Sequence, residues 1–103
     1  MAGTYFEKVW AAHRVMTRVT GEDVVFVDRH YVHDLSGAEA LEALDHQGRV
    51  VARPNLTFGS PDHTIPSARP RGAAALAGQT IRLVTYREQV AKQHIPSFDL
   101  DHP

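Results

Sequence analysis

Residues Asp28–Asp34, DRHYVHD, and the later pair Asp62-His63 hold three histidines, an arginine and three acids in two short segments. Three chemistries are open to such residues. His30 and His33 stand three apart, and with Asp34 or His63 as a third ligand they could hold zinc. Arg29 could grip a carboxylate through two parallel hydrogen bonds. Asp62 could fix the tautomer of His63 and raise its basicity, which suits proton transfer near neutral pH. Each has a plainer reading beside it. The histidine pair lies in a connection whose geometry the sequence does not set, and such pairs are often ordinary polar loop. Arg29 can form a surface pair with Asp28, worth little energetically. Asp and His adjacent in sequence need not touch. No serine sits in a Gly-x-Ser-x-Gly turn, and no glycine-rich phosphate loop is present. His13, His46 and His94 read as solvent-facing or helix-terminal.

The chain around these residues has 103 positions, enough for one small domain or a piece of a larger one. A formal net charge of −1 sets up no field that would recruit nucleic acid or acidic lipid. No apolar run is long enough to span a bilayer, and MAGTYFEKVW lacks the basic-then-apolar pattern of a secretory signal. The expected compartment is the cytoplasm. With no cysteine, the chain offers no disulfide, no thiolate nucleophile and no thiolate-held metal centre.

The elements that must position the polar residues follow from local signals. Thr4 and Glu7 fit a capping box, and Phe6, Val9, Trp10 and His13 follow helical spacing, so a helix is expected over about 4–17. Val24–Val27 is a short β-branched and aromatic run expected to be a buried strand, with Asp28 and Arg29 leaving its carboxyl end, where α/β sheets tend to bind ligands. Ser36 and Glu39 suggest a second capping box, for a helix with Ala40, Leu41 and Leu44 on one face and a stop at Gly48. Arg49–Pro54 reads as extended, Leu56–Phe58 as a strand, and 59–72 as a loop rich in proline and glycine. A helix over about 79–94 would turn Leu83, Tyr86 and Val90 inward, and the last residues, SFDLDHP, read as a final short strand. The alternation predicts an α/β fold of few, short strands. Its sheet would be left partly uncovered, so the segment 1–103 is expected to be an incomplete domain.

Four stretches in this order, TYFEKVWAAHRV, VVFVDRHYVHDLSGAEALEAL, GRVVARPNLTFGSPDHTIPS and DLDHP, resemble the opening of 3-isopropylmalate dehydratase large subunits, in the aconitase family. The resemblance covers nearly the whole chain, and the middle stretch and the Asp-His loop carry most of its specificity. It implies an aconitase-like amino-terminal segment of a hydro-lyase that isomerises a hydroxy-diacid by removing and re-adding water. It implies a [4Fe–4S] cluster held by three cysteines elsewhere in the family's large subunit, the remainder of that subunit and a small subunit as partners, and a small diacid as substrate. By position, Asp62 and His63 match the family's catalytic Asp-His pair, which helps handle the proton on the leaving hydroxyl. Arg29, His30 and His33 match substrate-side residues, and Asp28 anchors a turn. There are departures: Pro61 stands where the family usually has methionine, and HTIPS replaces the usual HNVPT. A proline there stiffens the loop and removes a backbone donor. Lacking the cluster cysteines, the chain is expected to be inactive alone. The competing expectations are a standalone module that binds a small carboxylate or a metal or assembles with a partner, and an α/β fragment with no activity.

Overall fold

The computed structural model describes residues 2–67, 77–100 and 102. Its first element follows from the first local signal. The Thr4 hydroxyl accepts the Glu7 N–H, and the Glu7 carboxylate accepts the Thr4 N–H at 2.7 Å. This capping box starts helix α1, Tyr5–His13. The helix ends earlier than its periodicity suggested. Arg14–Thr17 instead form strand β1, antiparallel to β2, Asp23–Val25. Val15 and Thr17 are β-branched and favour extended backbone once a partner strand is at hand. Asp23 ties the unit together: it accepts the Trp10 indole N–H at 2.6 Å and the Thr17 hydroxyl at 2.5 Å.

The run Val24–Val27 does not form the buried strand its composition suggested. Only its first two residues pair, in a two-stranded ribbon, and Val24 and Val27 are 38% and 66% exposed. Helix α1 holds no buried residue. Residues 4–26 therefore make a helix-and-hairpin arm whose apolar side chains face outward.

The body is built after Arg29. Strand β3, His30–His33, runs parallel to β4, Thr57–Ser60, with His30 opposite Thr57 and His33 opposite Ser60. Parallel strands need a crossover, and helix α2, Ser36–His46, supplies it. Where the sequence suggested a histidine-bearing connection there is thus a strand. Ser36 is not the expected cap either. Leu35 occupies the N-cap position without a side-chain bond, and Glu39 pairs with Arg82 at 2.8 Å. The helix is followed by Gly48 at φ 65°, the left-handed conformation that glycine tolerates after a helix. A 3-10 turn, Pro54–Leu56, leads into β4, so the strand expected from Leu56 begins at Thr57. Residues 59 and 60, expected in a loop, complete that strand. The part of the expected loop beyond residue 67 lies outside the described residues.

Helix α3, Ala77–Lys92, packs on α2 and brings Leu83, Tyr86 and Val90 inward, as their spacing predicted. The core is Val32, Ala38, Leu41, Leu83, Tyr86, Val90 and Ile95, all from this body. The chain then returns beside β4. Gly59 donates to the Pro96 carbonyl and accepts from the Phe98 N–H, both at 2.8 Å, so among its described residues the expected last strand is a single parallel bridge at Ser97; residues 101 and 103 of that expectation lie outside the described residues. Gly59 must be glycine, because the Tyr86 hydroxyl occupies the place a Cβ would take. The fold is a mixed α/β layer with an appended arm. Its radius of gyration is 17.3 Å, against about 13 Å for a compact chain of this length. Among the described residues, no helix is long and apolar enough to cross a membrane.

Candidate functional site

The parallel register decides where the polar segments meet. Pairing His33 with Ser60 puts the carboxyl ends of β3 and β4 side by side. The residues that follow each strand, Asp34 and Pro61–Thr64, then share one edge, where ligands of α/β sheets are commonly bound. Alternation along β3 turns Val32 and Asp34 inward and His33 outward. Val32 lies in the core, and Asp34 is 0% exposed.

A buried carboxylate must be fully hydrogen-bonded, and Asp34 is. Its Oδ1 accepts the N–H groups of Asp62 at 3.1 Å and His63 at 3.0 Å. Its Oδ2 accepts the Thr64 N–H at 2.7 Å and the Thr64 hydroxyl. Burial pushes the Asp34 carboxyl up, but the Thr64 hydroxyl and the backbone donors of His63 and Thr64 outweigh it and hold it below the usual carboxylate range. Three successive amides turned toward one anion form a nest. Pro61 has no N–H, but the nest begins at Asp62, so the proline costs this loop no needed donor.

The nest presents His63 to His33. The two imidazole rings stack with centroids 3.8 Å apart and planes 17° apart. His63 Nδ1 lies 2.5 Å from Asp62 Oδ1, so Nδ1 carries the proton and the bond fixes that tautomer. His33 Nδ1 accepts the Leu35 N–H at 3.2 Å, and the Ser36 hydroxyl lies 3.4 Å from its Nε2. In the neutral ring the proton therefore sits on Nε2, facing Ser36. His33 is half-buried, whereas Asp62 and His63 are exposed. One suitably placed nitrogen or oxygen of His33, Asp34, Asp62 and His63 all fall within 4.8 Å of one another.

Beside this cluster the outward face of the sheet carries a row of rings. Tyr31 stands 5.9 Å from Phe58, and Phe58 stands 6.5 Å from Phe98. With His33 and Asp62 they line a shallow cavity of about 190 Å³. Polar groups capable of proton transfer thus border an apolar floor, a common composition for a small-molecule site.

His33, Asp62 and His63 are together at this edge; Arg29 and His30 are not. His30 opens β3 at the opposite end, roughly 10 Å away along the strand. The Arg29 guanidinium donates to the Asp28 carbonyl at 2.8 Å. The strand that leads to the site is β3, so Asp28 and Arg29 precede it rather than leave a strand's carboxyl end. Asp28 joins the arm, accepting from His13 Nε2 at 3.1 Å. Asp34 as the loop's anchor, with Thr64, is not visible from residue types alone. The signal for it is the period-two alternation from buried Val32.

Comparison with known proteins places the chain in a family. The family model described as Aconitase family (aconitate hydratase) matches residues 7–95. The chain is 35% identical over 100 residues to the 3-isopropylmalate dehydratase large subunit 1 of Bradyrhizobium diazoefficiens, covering 97% of this chain and 21% of that protein. It is 33% identical over 107 residues to the large subunit of Psychrobacter cryohalolentis, covering 98% and 23%. It is 39% identical over 66 residues to that of Haloarcula marismortui, covering 64% and 14%. The chain spans about a fifth of the length of the first two relatives. No solved structure matches.

Proposed function

Because the chain belongs to the aconitase family, we propose that its His33–Asp62–His63 edge is the proton-handling and substrate-facing part of a hydro-lyase acting on a hydroxy-diacid, as in 3-isopropylmalate dehydratase. The observation that carries this reading is the convergence of the Asp62–His63 pair and His33 at the carboxyl edge of the parallel strands. Dehydration asks for two difficult things. A hydroxide must leave, and a weakly acidic carbon must lose a proton. His63, its Nδ1 proton held by Asp62, keeps Nε2 open to take or give the proton of the leaving hydroxyl. His33, steadied by the Leu35 amide, offers Nε2–H to a substrate oxygen. Arg29 and His30 stay within the proposal as substrate-side residues that would need a ligand reaching along β3, or a rearranged arm, to take part.

The cluster implied by the resemblance does not fit the donor set of this chain. There is no cysteine, and imidazole and carboxylate are poor substitutes for the thiolates that hold iron–sulfur clusters. No step is therefore assigned to the cluster here. The sulfur ligands, the remainder of the large subunit and a small subunit belong, in this reading, to other parts of a cytoplasmic assembly.

Complementation tests it. A relative's large subunit, deleted of the part this chain matches, is mixed with its small subunit and the 103-residue chain, and hydration of an unsaturated diacid is followed. The chain should restore turnover, and its His63→Ala and Asp62→Asn variants should not. Restoration by both variants, or turnover by the chain alone after iron–sulfur reconstitution, would overturn the reading.

A further inference from the structure

We propose that His33, Asp62 and His63 form a mononuclear site for a borderline divalent cation of the Zn²⁺ type, binding to this chain with no cluster present. This goes beyond the hydro-lyase reading and does not depend on it. Two imidazoles and a carboxylate are a donor set of the right hardness for zinc, with room left for water on the exposed side. Their ligand atoms lie within 4.8 Å of one another. Zinc bonds near 2.0–2.2 Å set ligand atoms roughly 3.3 Å apart, so closure from 4.8 Å asks for a contraction of up to about 1.5 Å.

The contraction is available because of how each side chain is held. His63 and Asp62 are exposed on a loop, and turning them breaks only their mutual bond and the stack on His33. An ion would replace the proton now shared between His63 Nδ1 and Asp62 Oδ1, and the stacked rings would splay so that both lone pairs reach it. His33 would exchange one of its present contacts for the ion, the 3.2 Å bond from the Leu35 amide at Nδ1 or the 3.4 Å contact with Ser36 at Nε2. Asp34 is unsuited as a ligand, since four donors already occupy its two oxygens. Its role is to hold the 62–64 backbone in place, as outer-shell carboxylates do in metal sites. The site is thus supported from beneath by a buried anchor and open above.

Calorimetric titration of the intact chain with ZnCl₂, and the visible spectrum on adding CoCl₂, test the proposal. One ion should bind per chain with micromolar affinity, and Co²⁺ should show the intense bands of a low-coordinate nitrogen–oxygen site. His33→Ala and His63→Ala should each weaken binding by about tenfold or more, the scale on which even outer-shell changes act. His46→Ala, on an exposed histidine at the end of α2, should leave binding unchanged. Circular dichroism of each variant checks that the fold is retained, and exposed His63 serves if His33→Ala disturbs it. Absence of saturable binding, or equal binding by the His63→Ala variant, would overturn the site. The complementation assay is read without added zinc, so either proposal can fail alone.

Discussion

The arm of this chain is the more apolar in sequence, yet only the body buries its apolar side chains. Phe6 and Trp10 stack at 5.5 Å on the arm, and Phe6 remains 66% exposed, while Tyr86 in the body is 0% exposed. The arm holds its shape by a capping box, a ribbon and the hydrogen bonds to Asp23. The body holds its shape by a core to which β3, α2 and α3 all contribute, with β4 closed against Tyr86. Local signals can thus build elements without building a core, and the candidate site lies where the core is.

The comparison can be broken most sharply at Tyr86. Tyr86→Ala removes the largest buried side chain and its 2.8 Å bond with Ser97. It should cost the body about 3–5 kcal/mol in urea unfolding. Amide exchange in the arm should change far less, and equal losses in both regions would mean they fold as one unit.

Asp34→Ala comes next, with an expected cost of about 3 kcal/mol from leaving buried donors without an acceptor. Faster amide exchange should appear first at residues 62–64, and unchanged exchange there would remove Asp34 as the loop's anchor. The same carboxyl gives a pH test. Its folded-state pKa is held down, so its contribution is present above the usual carboxylate value and lost as pH falls through the lower, folded one. The body should weaken only in acid.

The smallest expected effect belongs to the arm and has the opposite sign. His13 Nδ1 faces the Val9 carbonyl at 2.7 Å and Nε2 faces Asp28 at 3.1 Å. Both ring nitrogens donate only in the imidazolium form. The Val9 carbonyl, and then Asp28, raise this pKa above its usual value. The stabilisation is therefore complete below the ordinary imidazole pKa and fades as pH rises through the raised one. Chemical shifts of residues 13 and 28 should move together on that rise while those of Leu83 and Val90 in the body's core stay still. Movement at 83 and 90 would join arm and body.

Much of the helical content was legible because its signals are short-range. Thr4 and Glu7 are three residues apart and cap α1 without help, and Leu83, Tyr86 and Val90 mark the inward face of α3 by spacing alone. Strands were less legible. Arg14–Thr17 continues a helical pattern until Asp23–Val25 pairs with it. His30–His33 is too polar to read as a strand, because its outward positions carry a tyrosine and a histidine. Ser36 and Glu39 spell a capping box that the chain does not use, since Ser36 lies within the helix and Arg82 takes Glu39.

The sequence by itself determined the residue types of the site, the family to which they belong and the absence of any thiolate, since composition and motif do not depend on folding. Only the tertiary structure decided that His33 and His63 would stack while His30 and Arg29 would stand apart. A parallel pairing fixes which strand ends coincide, and it forms between residues far apart in the chain. Asp34 completes the arrangement because a carboxylate taken from water needs several donors, and one loop, Asp62–Thr64, brings them.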